Sequence, residues 1–346
     1  MKILLTGHHG YIGSVAGPLL HAAGHEVTGL DTFFYEGCDL RDEADRVPAL
    51  RLDLRDADPE ALVGHDAIVH LAALSNDPLG DISPELTREV NFEATSRLAR
   101  AAKEAGVRRF VFSSSCSMYG ASEPHRPVDE TAPLAPLTAY AESKVLSEKA
   151  LADLADETFT PVFMRNATAY GVSPRLRVDL VLNNLVGWAF TTGKVKIMSD
   201  GTPWRPLIHV EDIARATLAV LEAPREAVRG EAFNVGRAEE NYQVRDLAEI
   251  VRETVGDCEI EYAGSGDPDP RSYRVDFTKF AQAFPEAGLS WTARGGAREV
   301  LNAYREVGLT LEEFEGDRYI RLKHLRLLLD RGELDSQLRW RAARVR

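Results

Sequence analysis

The octapeptide TGHHGYIG, Thr6–Gly13, decides how this 346-residue chain is read. It follows the apolar run KILL and opens the amphipathic stretch YIGSVAGPLLHAAG (11–24). The pattern is strand, glycine loop, helix. Gly7, Gly10 and Gly13 allow a tight turn and let the backbone approach a diphosphate. The helix start then offers free N–H groups and a partial positive charge. The spacing is GxxGxxG rather than GxGxxG, so the reading depends on this strand–loop–helix context. Asp31 supplies it, ending the next strand, EVTGLD (26–31). A carboxylate there accepts hydrogen bonds from adenosine ribose hydroxyls and repels a 2′-phosphate. TFFYEG (32–37) adds no arginine. The expected cofactor is therefore NAD rather than NADP. Asp53, after the third strand, is placed to face the adenine.

Outward from this loop, short apolar runs alternate with helical patterns. Strands are expected at 2–7, 26–31, 49–54, 67–73, 109–115 and within 160–171. Helices are expected at 11–24, about 84–105 and 139–155. This rhythm predicts an α/β fold with a Rossmann-type, doubly wound parallel sheet. After Tyr170 the rhythm breaks. A helix at 181–193, a strand FNVG (233–236) returning to the sheet, a helix at 243–255 and a Gly/Pro/Asp-rich segment (263–273) follow. The expected division is an NAD-binding domain over 1–172, rejoined by 206–236. A smaller mixed α/β substrate domain takes 173–205 and 237–316. A basic tail of helical pattern, 317–346, is expected to dock on the body.

Composition narrows the function. A net charge of −13 disfavours nucleic acid and anionic membranes. Cys38, Cys116 and Cys258 form no CxxC pair, and no histidines are spaced for a metal, so no metal is expected. The N-terminus does not read as a signal peptide and no apolar run approaches a membrane span, so a cytoplasmic protein is expected.

Two further stretches carry chemistry. SSSCSMYG (113–120) puts hydroxyls at the end of a buried strand, and YAESK puts Tyr140 and Lys144 four residues apart on one helix face. A tyrosine acting as a base near neutrality needs its pKa lowered by roughly three units, ~4 kcal/mol. One ammonium at ~4 Å and an effective dielectric of ~20 supplies about that much. Ser115 is placed to hydrogen-bond a substrate oxygen while Tyr140 removes its proton and NAD takes the hydride.

Together these residues resemble the extended short-chain dehydrogenase/reductases, the NAD-dependent nucleotide-sugar epimerase/dehydratase family. The resemblance spans about 1–310 and includes TGHHGYIG, Asp31, HLAA (70–73), Asn91, SSSCSMYG, YAESK, RNATAYG, WRPLIHVEDIARA (204–216) and FNVG. It implies a catalytic set of Ser115, Tyr140 and Lys144. It implies NAD contacts from Gly7, Gly10, Tyr11, Ile12, Gly13, Asp31, Asp53, Leu54, Leu71, Ala72, Ala73, Tyr140 and Lys144. It implies substrate contacts from Ser117, Asn183 or Asn184, Arg205 and Arg271, the arginines gripping the diphosphate of a nucleotide sugar. A homodimer through a four-helix bundle is also implied. The family's sugar 4,6-dehydratases carry an Asp–Glu pair where this chain has Cys116 and Ser117. That departure favours a 4-epimerase, with a nucleotide-sugar ketoreductase or dehydrogenase as the alternative. A non-catalytic NAD-binding protein is the other class.

Overall fold

Seven parallel strands form the central sheet of the computed structural model, which describes all residues except 41–46, 76–82, 123–125, 263–270 and 342–346. The strands are β1 (Lys2–Thr6), β2 (Glu26–Asp31), β3 (Ala49–Arg51), β4 (Ala67–His70), β5 (Arg109–Ser115), β6 (Thr160–Asn166) and β10 (Ala232–Val235). Their order is β10-β6-β5-β4-β1-β2-β3. Every residue of β4 and β6 is buried, the pattern of strands covered on both faces by helices. The order reverses between β1 and β4, and such a reversal opens a crevice at the carboxyl ends of the strands.

Helix α1 is Gly13–Ala22, starting two residues later than the sequence pattern suggests, so Tyr11 and Ile12 stay in the loop. The helix expected at 84–105 is α2 (Pro84–Arg88) and α3 (Ala94–Glu104), joined by a π-helical turn, Glu89–Glu93. Helix α4 is Ala139–Ala152, its N-terminus capped by the Thr138 hydroxyl.

The run 160–171 is not one strand. Beyond β6 the chain turns at Ala167 and Thr168–Tyr170 leaves as β7. This pairs with β9 (Trp204–His209), which pairs with β11 (Asn241–Gln243) in a separate three-stranded sheet. Another pair joins β8 (Lys194–Ile197) to β12 (Glu259–Tyr262). Helices α5 (Val181–Thr192), α7 (Val244–Val255) and α8 (Ala293–Val307) share a second core around Leu182, Val186, Leu247, Val251 and Val300. Between them α6 (Val210–Glu222) returns to pack on α1. The boundary expected at 206 thus falls inside β9.

Among its described residues the tail is helical only over α9 (Arg321–Asp330). Residues beyond it close a turn in which Leu334 pairs with Trp340. Leu325, Leu328, Leu334 and Leu338 pack with Leu74 and Leu86 against Phe34, Tyr35 and Val90. The tail therefore lies on the loop after β2. No helix among the described residues is long and apolar enough to cross a membrane.

Candidate active site

A cavity of about 720 Å³ follows the carboxyl ends of β1 to β6 and continues under the smaller sheets. Gly7, Gly10, Ile12 and Gly13 line one end, with Tyr11 beside them. Gly7 has φ +73°, and a Cβ on it would lie 2.7 Å from the Ala72 nitrogen. A Cβ on Gly13 would lie 2.2 Å from the Gly7 carbonyl. Any side chain at either position forces the loop apart. The Tyr11 and Ile12 N–H groups, just ahead of α1, have no acceptor among the described residues. The Tyr11 hydroxyl points elsewhere and donates to the Gly171 carbonyl at 2.8 Å, tying the loop to the second layer.

Asp31 lines the same end. Its carboxylate accepts from the His9 and Phe33 N–H groups at 3.0 and 2.8 Å. Burial raises its pKa against those bonds. Leu54, Leu71, Ala72 and Ala73 complete the apolar wall. Asp53 also lines it, but as half of a pair. Arg55 donates to both carboxylate oxygens, at 2.9 and 2.7 Å. Burial opposes ionisation of Asp53, yet the Arg55 bonds hold its pKa below the usual value.

The middle of the cavity is walled by Ser113–Ser115, Ser117 and Tyr140. The Ser115 hydroxyl accepts from the Ser117 N–H at 3.1 Å and donates to the Ser117 hydroxyl at 2.9 Å. Ser113 accepts from the Asn166 amide at 3.0 Å. Lys144 lies behind the wall rather than in it. Its ammonium donates to the Ser113 carbonyl at 2.7 Å and sits 5.6 Å from the Tyr140 ring centre and 4.6 Å from that of Phe112. Burial brings its pKa down to about 7, with Glu148 pulling the other way.

The supports run deeper. Asn91, on the π-helical turn, accepts from the Leu74 N–H and donates to the Leu74 carbonyl and the Ser143 hydroxyl. It joins the loop after β4 to the helix that carries Tyr140 and Lys144. That is a positional role for a π turn. His70 bridges Thr6 and Thr95 at 2.6 and 2.8 Å, and burial holds its pKa near 3, so it is a neutral strut. Glu148 and Arg165 form a buried bidentate pair beneath. The Cys116 thiol is fully buried, donates to the Arg165 carbonyl at 3.1 Å, and has its pKa raised by burial. It does not line the cavity, so a thiol acid–base is not formed there.

The far wall carries Asn184, Arg205 and Arg271. Arg205 projects from β9 and donates to the Trp204 and Arg271 carbonyls. Of the two asparagines, only Asn184 reaches the cavity. Asn183 is fully buried, and its amide is used by the Gly171 N–H at 3.0 Å and the Arg177 carbonyl at 3.0 Å. One residue along a helix is a turn of about 100°, enough to send neighbours to opposite sides. The sequence reading also missed the Arg177–Asp179 pair, closed at 2.6 Å in the cavity wall. The charged residues Arg175, Arg177 and Asp179 of RLRVD were the available signal.

Comparison with known proteins places this geometry. The chain matches the profile of the NAD dependent epimerase/dehydratase family over residues 3–236. It is 28% identical over 326 residues to the UDP-glucose 4-epimerase of Bacillus subtilis (strain 168), covering 87% of this chain and 94% of that protein. Among solved structures, MoeE5 in complex with UDP-glucuronic acid and NAD superposes with a TM-score of 0.74 at 27% identity, covering 88% of this chain and 99% of that one. TunA, a hexosamine 5,6-dehydratase, shares the fold, with a TM-score of 0.78 at 23% identity, covering 88% and 98%.

Proposed function

The chain belongs to the NAD-dependent epimerase/dehydratase family, and from that premise we propose that it is an NAD-dependent 4-epimerase of a nucleotide-diphosphate sugar. The observation that carries this reading is the continuity of one cavity. It joins the Gly7–Gly13 loop and Asp31, the Ser115–Tyr140 wall, and the Arg205–Arg271 wall. The first end fits the dinucleotide: a glycine cradle that any Cβ would fill, unsatisfied N–H groups ahead of α1, and a carboxylate at the end of β2. When bound, NAD supplies a hydride acceptor and, once reduced, the matching donor.

The remaining steps belong to side chains. Tyr140 takes the proton of the sugar 4-hydroxyl, and a hydroxyl from Ser115 holds the same oxygen in place of its present bond to Ser117. The Lys144 ammonium, behind the ring, favours the phenolate. Once the 4-keto sugar has turned over, so that the hydride would return to the other face of C4, Tyr140 gives the proton back to the 4-oxygen. Arg205 and Arg271 hold the diphosphate, with Asn184 and Ser117 positioning the nucleotide sugar. Elimination of water needs a further base near Ser115. The described carboxylates of the cavity are Asp31 and Asp53 at the cofactor end and Asp179, paired with Arg177. None stands in the Ser113–Ser117 turn, which argues for epimerisation over dehydration. We divide the chain into a cofactor-binding body and a smaller substrate-binding layer. A cytoplasmic homodimer packing through the α2–α3 and α4 helices is the assembly we expect.

The test is NMR of purified protein with a panel of nucleotide sugars in D2O, without added NADH. An epimeric product lacking deuterium at C4 is expected. Product only on supplying a keto sugar and NADH would make the protein a reductase. Deuterium at C5 together with loss of the 6-hydroxyl as water would make it a dehydratase.

A further inference from the structure

The family profile ends at residue 236, yet the cavity's outer wall at the cofactor end is finished by the tail. Arg321 and Leu338 line it beside Thr32, Phe34, Tyr35 and Arg55. The tail is fastened there by polar bonds as well as by its leucines. Trp340 donates its indole N–H to the Thr32 carbonyl at 2.6 Å. Arg55 donates to the Gln337 carbonyl at 2.8 Å. Arg339 meets Asp56, and lies 3.6 Å from Asp53. A segment about 300 residues away in sequence is thus built into the rim around Asp31 and Asp53.

Within this segment Arg321 stands out. It begins α9, is 3% exposed, and stacks over the Tyr35 ring at 3.7 Å. One guanidinium nitrogen, Nη2, donates to the Arg175 carbonyl at 3.1 Å. The other, Nη1, is buried with no acceptor among the described residues. Its neighbours differ: Arg175 meets Asp39, and Arg177 is closed on Asp179. Burial is the main influence disfavouring the Arg321 cation, with Arg177 adding to it, while Tyr35, Cys38 and Asp179 favour it; Asp31 in turn feels its charge. A buried guanidinium with an unused donor is costly unless an anionic acceptor completes it. Arginine's fork suits phosphate oxygens in particular.

We propose that Arg321 is a phosphate-binding residue of the dinucleotide site, delivered by the C-terminal tail to pair with the cofactor's diphosphate. The inference rests on the NAD reading above. The glycine loop's own basic side chains are His8 and His9, with Arg175 against His9, and Arg321 would add a cation from the far end of the chain. The tail is then part of the binding site rather than an appendage.

The experiment uses the full-length protein stripped of bound nucleotide. Binding of NAD, ADP-ribose and adenosine is measured by calorimetry, or by ligand-observed NMR for weak binding, for the wild type, Arg321→Gln and Arg321→Lys. NAD and ADP-ribose affinity should fall roughly 10- to 100-fold in the glutamine variant, less in the lysine variant, with adenosine unchanged. The ligand-free melting temperature should not fall in the lysine variant, which keeps the charge if the glutamine variant fails to fold. Equal weakening of adenosine would show that Arg321 only shapes the rim, and unchanged NAD affinity would remove it from the site. Either overturns the inference. No NAD binding by the wild type would overturn the cofactor reading itself.

Discussion

The two walls of the cavity are built by different rules. The wall holding Ser115 and Tyr140 grows from the central sheet. Ser115 closes a seven-residue strand paired with β6 in continuous register, from Arg109 opposite Thr160 to Ser115 opposite Asn166. Tyr140 rides a helix pinned at its base by Lys144, Ser143 and Glu148. The wall holding Arg205 and Arg271 stands outside that sheet. Its β11 partner strand has three residues, and Arg205 donates to the Trp204 and Arg271 carbonyls. Atoms that exchange protons need fixed geometry within fractions of an ångström. A wall that grips a diphosphate needs charge and reach, and tolerates looser support. This predicts that damage to the first wall falls on turnover or folding, and damage to the second on substrate affinity.

The sharpest way to break that contrast is Tyr140→Phe. Removing one oxygen at the proton-transfer position should lower kcat by roughly 10²- to 10⁴-fold. NAD affinity, measured by calorimetry, should stay within about twofold, because the ring remains. A comparable loss of NAD affinity would mean that the wall is a binding surface rather than a reacting one.

Glu148→Ala tests the foundation of the same wall. It strands Arg165 in a pocket where both side chains are about 8% exposed. Breaking such a pair from one side costs about 3–5 kcal/mol, because the remaining charge stays buried. Denaturant unfolding should show that loss. Unchanged stability would mean that Arg165 is satisfied by Tyr119 and the Glu130 carbonyl alone.

Arg205→Ala tests the opposite wall. KM for the nucleotide sugar should rise roughly 10- to 100-fold, consistent with one lost charge-assisted contact, while kcat changes only a few-fold. A kcat loss as large as that of Tyr140→Phe would make the two walls one mechanical unit.

The contrast also marks what the sequence disclosed. The positions of Gly7, Gly10, Gly13, Asp31 and Tyr140 along the cavity were legible because they are local: a turn, a strand end, a helix face. Lys144, on the same helix as Tyr140, stands behind the wall instead. The seventh strand was legible because FNVG is apolar and sits where a return to the sheet is needed. Asn183 was misplaced because a helix expected from 181 does not say which of its faces meets the cavity, and that depends on the packing of α5. The split of 160–171 at Ala167 was hidden because no glycine or proline separates β6 from β7, and only pairing does. The tail was read as basic and helical, but not as a wall of the cavity. Its deciding contacts, Trp340 to Thr32 and Arg321 to Arg175, link residues 308 and 146 positions apart. No periodicity encodes such a meeting.

The smallest expected effect concerns Lys144 itself, and asks whether the reacting wall is strained to serve its role. Burial lowers the Lys144 pKa from 10.5 to about 7, so the fold disfavours the ammonium that proton transfer calls for. The sign follows from linkage. Between those two values the unfolded chain holds a proton that the ligand-free native state has released, so stability rises with pH. The destabilisation is therefore full below pH 7 and fades as pH climbs toward 10.5. Wild-type protein without nucleotide should gain about 1 kcal/mol of unfolding free energy between pH 7 and 8 relative to Lys144→Met, which has no proton to lose. Urea unfolding of both proteins at the two pH values measures the difference directly. Parallel pH dependence would mean that the ammonium is comfortable against the Ser113 carbonyl. In that case the reacting wall stores no electrostatic strain, and its rigidity comes from packing alone.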